Sequence, residues 1–290
     1  MGLLGFGAYV PNEESTDFLI DASLVGLSEL PRGPRRFIAY GDDPAFSPDG
    51  GWIAYSTNSR PEQGIWLTRP GCRWPATRAR PAPCSRLRRL TRGLDRFPAW
   101  TQDGKRIAFV RGGSIHTVRA DRGGKRFLVR GESPDWSSRG ALAFTRNGQL
   151  LVRRPGGPIV NLGVQGASPS WAPSGERLAF IGDPEAGAPG ETLRTINADG
   201  SGLRTLWRVT RREWVDDPEG DYAGPISPKW SPDGRSIAFI ESIGPYTTGA
   251  VYTVSPRGGP ARTLMRTAPK CPPCIDRPSF GNLGWQPLPR

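Results

Sequence analysis

Residues 227–240, SPKWSPDGRSIAFI, read as a strand, a tight Pro-Asp-Gly turn and a second strand. Pro232 fixes φ, the Asp233 carboxylate suits bonds to nearby backbone N–H groups, and Gly234 accepts a left-handed conformation. Past the turn, Ile237 and Phe239 fall on one face of the strand and Ala238 on the other, so both faces are apolar. That pattern suits a strand sandwiched between two neighbouring sheets, with alanine where backbones crowd. Near versions stand at 43–55 (DPAFSPDGGWIAY), 97–109 (FPAWTQDGKRIAF), 133–144 (SPDWSSRGALAF) and 168–180 (SPSWAPSGERLAF).

The aromatics at the centre of these motifs are Phe46, Trp100, Trp136, Trp171 and Trp230, and a degenerate sixth is Trp285 in NLGWQPLPR. A unit that recurs with loops of uneven length is one that cannot bury its apolar face alone and must stack on its neighbours. A third strand follows each motif at 64–70, 114–120, 149–155, 192–200 and 250–259, and a fourth at 86–91, 125–130, 157–163, 203–209 and 261–267. Four short antiparallel strands per unit make a propeller blade. Trp285 opens a sixth blade five residues before Arg290, so its other strands must come from the N-terminus: LGFGAYV (4–10), DFLIDASL (17–24) and RRFIAYG (35–41). The expectation is an all-β, six-bladed β-propeller of four-stranded antiparallel blades in one domain, 1–290. One blade, 1–41 plus 281–290, is closed by N- and C-terminal strands.

The motif P-x-[W/F]-[S/T]-x-D-G-x-x-[I/L]-A-[F/Y] resembles the WD40-like (PD40) repeats of TolB-like propellers, and those of the noncatalytic propellers of prolyl-oligopeptidase-type peptidases. The resemblance runs over essentially the whole chain. It implies a propeller that holds a protein partner on one rim, outside the cytoplasm, in the manner of a cell-envelope or periplasmic scaffold.

The chain of 290 residues carries a formal charge of +12, from 39 basic and 27 acidic residues, and 35 of the basic ones are arginine. Such a surface attracts acidic partners, but an arginine bias this strong also follows from base composition. One stretch concentrates it: residues 69–96 hold nine arginines against the single acid Asp95. Guanidinium forks suit carboxylates and phosphates, and an interleaved indole can stack on a sugar or base. Arg73, Trp74, Arg78, Arg80, Arg86, Arg88 and Arg89 are therefore the candidate contact surface, for a protein partner or, as the alternative, an anionic ligand or glycan. No helix-turn-helix, zinc finger or single-strand-binding signature accompanies the patch, so specific nucleic-acid binding is not expected.

A second candidate set is acidic: Asp42, Asp43, Asp95 and Glu132 stand near the starts of the innermost strands, where carboxylates point to a propeller's channel mouth. Such a mouth suits a cation or an amine. The only histidine, His116, sits in a strand, and no G-x-S-x-G nucleophile elbow occurs. No catalytic residue, metal or cofactor is assigned, and the expected role is noncatalytic; a hydrolase or lyase is the remaining alternative. Cys72 and Cys84, and Cys271 and Cys274, lie in proline-rich stretches, unlike the apolar strands where inert thiols reside. A disulfide within each pair, formed in an oxidising extracytoplasmic compartment, is the expected arrangement. MGLLGFGAYV lacks the basic start of a signal peptide, and no segment has the roughly 18 apolar residues that span a bilayer.

Overall fold

A computed structural model of the chain describes residues 3–10, 22–29, 35–58, 61–70, 88–121, 123–183, 191–208, 223–243, 250–266 and 279–285. Every regular element among them is a strand, and the strands form six four-stranded antiparallel sheets. The chain divides into two compact units of three sheets each, Met1–Arg130 with Cys274–Arg290, and Gly131–Pro273.

In the first unit, the first sheet has the order β24 (Ser279–Trp285), β1 (Leu3–Val10), β2 (Ala22–Glu29), β3 (Arg35–Tyr40). Leu4 lies opposite Trp285 and Phe6 opposite Leu283, so one sheet draws on both ends of the sequence. Its third strand is described over 22–29; of the expected 17–24, residues 17–21 lie outside the described residues. Its register is set by pairing with β1, Ala8 to Leu24 and Phe6 to Gly26. The second sheet runs β4 (Asp42–Phe46), β5 (Ile53–Thr57), β6 (Gly64–Thr68), β7 (Arg88–Arg89), and the third β8 (Arg96–Trp100), β9 (Arg106–Arg111), β10 (Ser114–Arg119), β11 (Gly123–Arg130).

In the second unit, the fourth sheet is β12 (Glu132–Trp136), β13 (Leu142–Arg146), β14 (Gln149–Arg153), β15 (Ile159–Gln165). The fifth is β16 (Ala167–Trp171), β17 (Arg177–Gly182), β18 (Thr192–Asn197), β19 (Arg204–Arg208). The sixth is β20 (Ala223–Trp230), β21 (Ile237–Ile243), β22 (Ala250–Val254), β23 (Arg262–Arg266).

The motif residues build the core between sheets. Phe109, Phe144, Phe180 and Phe239, the closing aromatics of four motifs, are fully buried, as are Ala54, Ala108, Ala143, Ala179 and Ala238 beside them. Between the second and third sheets, Ala54, Ile65 and Leu67 pack with Trp100, Ile107 and Phe109. Glycine is required where a sheet begins: a Cβ on Gly166 would stand 2.5 Å from the Phe180 ring and 2.6 Å from the Ile181 carbonyl oxygen.

The turns repeat a hydrogen-bond device. The Ser231 hydroxyl donates to Asp233 Oδ1 (2.6 Å), which also accepts the Arg235 N–H (3.0 Å), while Ser231 Oγ accepts the Ser236 N–H (2.9 Å). Thr101 and Asp103, and Ser47 and Asp49, do the same in their sheets. These hydroxyls, and then the backbone N–H groups, hold all three carboxylates below the usual range.

A second device was not legible in the motif. Asp43, Phe97, Ser133, Ser168 and Ser227, each preceding a proline, all have φ between 49° and 54°. At each, the innermost strand carries one residue more than its partner, as between the pairs Asp42–Ser56 and Ala45–Ala54. These are β-bulges, which kink the strand and re-aim the side chain at the kink. Proline excludes the right-handed helical conformation from the residue before it, and the bulge selects the left-handed one.

Candidate functional site

The bulge explains where one of the four strand-start acids goes. Asp43, turned by its bulge, accepts the Ser56 hydroxyl (2.8 Å) and the Phe97 N–H of the next sheet (3.1 Å), and is 7% exposed. It latches the second sheet to the third. Asp42 is half-buried, and its Oδ1 accepts the Asp43 N–H at 2.8 Å. Asp95, wholly buried, receives a two-pronged grip from Arg111, Nε to Oδ1 at 2.5 Å and an Nη to Oδ2 at 2.6 Å. Hydrogen bonding to Asp95 raises the Arg111 pKa further above its usual value. Glu132 is exposed at the start of β12 in the second unit. The other three belong to the first unit, where Asp43 and Asp95 serve as internal acceptors.

A different carboxylate latch, from the residue after the motif proline, holds two sheets of the second unit. Asp135 Oδ2 accepts the Trp171 N–H (2.7 Å), and the Trp171 indole donates to the Asp135 carbonyl (3.2 Å). Burial pushes the Asp135 carboxyl above its usual range, against the opposing charge of Lys229. In the first unit the Trp100 indole donates to the Ala45 carbonyl at 3.0 Å. At Trp100 and Trp171 the motif indole thus fastens a sheet to the one before it, whereas the buried indole N–H groups of Trp136 and Trp230 find no acceptor among the described residues.

Of the arginine-rich candidates, Arg73, Trp74, Arg78, Arg80 and Arg86 lie outside the described residues, as do Cys72, Cys84, Cys271 and Cys274. Arg88 and Arg89 point to opposite sides of β7. Arg88 donates to the backbone carbonyls of Asp121 (2.7 Å) and Ala120, tying the second sheet to the β10–β11 turn. Arg89 donates to the carbonyls of Thr91 (3.0 Å) and Gln63, 5.6 Å from the Trp66 ring centre. Both guanidinium groups act as internal straps. His116 packs between the rings of Phe109 and Phe127, with Nδ1 3.3 Å from the Ser114 carbonyl oxygen.

What sequence reasoning missed is a groove of about 720 Å³ between the second and third sheets at their turn end. Its floor is Leu67 and Trp100, and its rim carries Asp49, Asp103, Asp121 and Gln102. Trp52 forms one wall, with the Arg69 guanidinium stacked 3.8 Å from its ring centre and Arg88 5.8 Å away. The signal was available: the residue before the Ile-Ala or Leu-Ala pair is Arg106, Ala141, Arg177 or Ser236 in the other motifs, and an indole only at 52. Asp49 and Asp103 use Oδ1 for their turns, and among the described residues Oδ2 of each accepts no hydrogen bond. The groove therefore offers a half-exposed indole, ionised carboxylate oxygens and a guanidinium on a rigid frame. Among the described residues no cluster of three His, Cys, Asp or Glu side chains is placed to hold a metal, and no helix is long and apolar enough to cross a membrane.

No family model matches the sequence, and no curated protein matches it. Solved structures match the fold. TolB from Acinetobacter baumannii superposes with a TM-score of 0.70 at 14% identity, over 99% of this chain and 67% of that one. A chain of a nidogen–laminin complex gives 0.64 at 12% identity, over 98% of both chains. A puromycin-hydrolysing peptidase from Mycobacterium tuberculosis gives 0.51 at 15% identity, over 89% of this chain and 45% of that one. Such distant likenesses speak for architecture, and they agree on it: the chain has the fold of the TolB-like β-propellers, an all-β propeller of four-stranded antiparallel blades.

Proposed function

We infer that this chain is a noncatalytic protein-binding propeller acting as a scaffold outside the cytoplasm. The observation that carries the reading is the groove at Trp52. Interfaces are anchored by aromatic and arginine side chains set in partly dehydrated recesses with a polar rim, and Trp52, Arg88 and the rim carboxylates present that combination. The nidogen chain, a propeller of this shape found in a protein complex, supports the same class of function. The extracytoplasmic setting draws on the likeness to TolB and on the paired cysteines.

A photo-crosslinking residue at Gln102, on the groove rim, tests the reading in the native cell envelope, with Leu203, 47% exposed in the second unit, as the control position. The expected result is a discrete protein adduct at 102, absent at 203 and lost in Trp52→Ala. Equal labelling at the two positions, or an adduct indifferent to Trp52→Ala, rejects the groove as the docking site.

A further inference from the structure

The outermost strands differ in one respect. β3 carries Arg35 and Arg36, β7 Arg88 and Arg89, β11 Lys125, Arg126 and Arg130, β19 Arg204 and Arg208, and β23 Arg262 and Arg266. β15, IVNLGVQ, carries no charge. Charged side chains on an edge strand, lysine and arginine among them, are a means by which sheets avoid pairing edge to edge. In a chain of +12, basic residues stand on five outer strands, those of β7 bound to backbone carbonyls, and none stands on the sixth. β15 is the outer strand of the fourth sheet, paired on one side with β14, and it displays Ile159 and Val160 at 39% and 37% exposure. Val160 lies opposite Val152, which is buried, so it extends an apolar face that ends at this edge.

We propose that β15 pairs with β15 of a second copy of this chain. An acidic segment of another protein is drawn to the five basic edges in preference to this one. Two copies meeting at β11, β19 or β23 set arginines or lysines against each other, whereas two β15 strands meet without opposed charge. The regular part of the strand is short: Ile159, Val160 and Asn161 keep register with Arg153, Val152 and Leu151 before a bulge interrupts the ladder. An antiparallel two-fold pairing centred on Val160 places it against its own copy and Ile159 against Asn161 of the second copy, the self-complementary arrangement of a two-fold interface. So small a contact lies below the roughly 1,200 Å² of a stable interface, so the dimer is weak and forms at high protein concentration. Each copy carries +12, so salt strengthens it: the screening length falls from about 10 Å at 0.1 M to about 3 Å at 1 M.

Sedimentation of the full chain across a concentration series at 0.1 M and 1 M NaCl tests this. Wild type is expected to self-associate to a dimer more tightly at 1 M salt. Val160→Lys, and Ile159→Lys as a second variant should the first not fold, are expected to raise the dissociation constant at least tenfold with an unchanged melting temperature. Phe127→Lys, removing a 62% exposed aromatic from the charged edge strand β11, leaves association intact. A chain that is monomeric at both salts overturns the proposal, as does a dimer that salt weakens or that both lysine variants leave unchanged. A monomer whose β15 captures a different protein also overturns it.

Discussion

The pair Asp95–Arg111 predicts an asymmetry that decides what the acid is for. Asp95 has no exposed side-chain surface, while Arg111 keeps 31% of its own and also donates to the Arg92 carbonyl at 2.6 Å. Arg111→Ala strands an ionised carboxylate in a dry site, a change that costs about 3–5 kcal/mol. Asp95→Ala leaves a guanidinium that already reaches water and retains one acceptor, so the loss is nearer that of its hydrogen bonds, about 1.5–3 kcal/mol. The double variant removes the stranded charge as well and is expected to sit close to Asp95→Ala, above Arg111→Ala in stability.

The ten tryptophans provide a fluorescence signal for thermal and urea unfolding. With about 2–4 °C per kcal/mol for domains of 150–250 residues, Arg111→Ala should lower the midpoint on the order of 10 °C and Asp95→Ala about half as much. Equal shifts for the two single variants, or a double variant worse than either, would refute the reasoning. Asp95 would then be a carboxylate available to a ligand, as its place at a strand start first implied.

Four further outcomes are expected. Removal of 281–290 takes away five of the seven residues of β24, and should lower the melting temperature of the whole chain; an unchanged value would reject a closing blade built from both ends. Gly166→Ala forces a Cβ against the Phe180 ring and the Ile181 carbonyl, and should cost about 1–3 kcal/mol of stability, the usual range for overpacking. Glu191 is held near pKa 7, first by burial and then by Asp183; because the folded form binds the proton more tightly, stability should fall as pH rises from about 4.3 to 7, and Glu191→Gln should flatten that slope in a series of melts. Two disulfides, Cys72–Cys84 and Cys271–Cys274, should leave intact mass in nonreducing conditions about 4 Da below the reduced chain, two hydrogens per bond, whereas the mass of four free thiols in protein from its native compartment would remove the case for an oxidising location.

The repeat made the four-stranded antiparallel unit legible because its determinants are local: a hydroxyl two residues before an aspartate, a glycine after it, and an alternating strand with alanine between bulky residues. Strand bounds were less legible over 22–29, where Leu24 and Val25 put apolar residues on both faces and register is set by the partner strand β1. The surroundings of the acids were not legible for a related reason. Their positions at strand starts are visible in the sequence, but the pre-proline bulge that turns Asp43 onto Phe97 N–H is a consequence of two-strand pairing, and Arg111 meets Asp95 only through the fold. Trp52 had the opposite character, a departure from a pattern otherwise kept for structural reasons. Within a repeat, a conforming residue is explained by the blade it builds. An indole where sister units place arginine, alanine or serine, and an outer strand without the arginines of the other five, are not demanded by the blade. Those two departures carry the groove and the β15 edge.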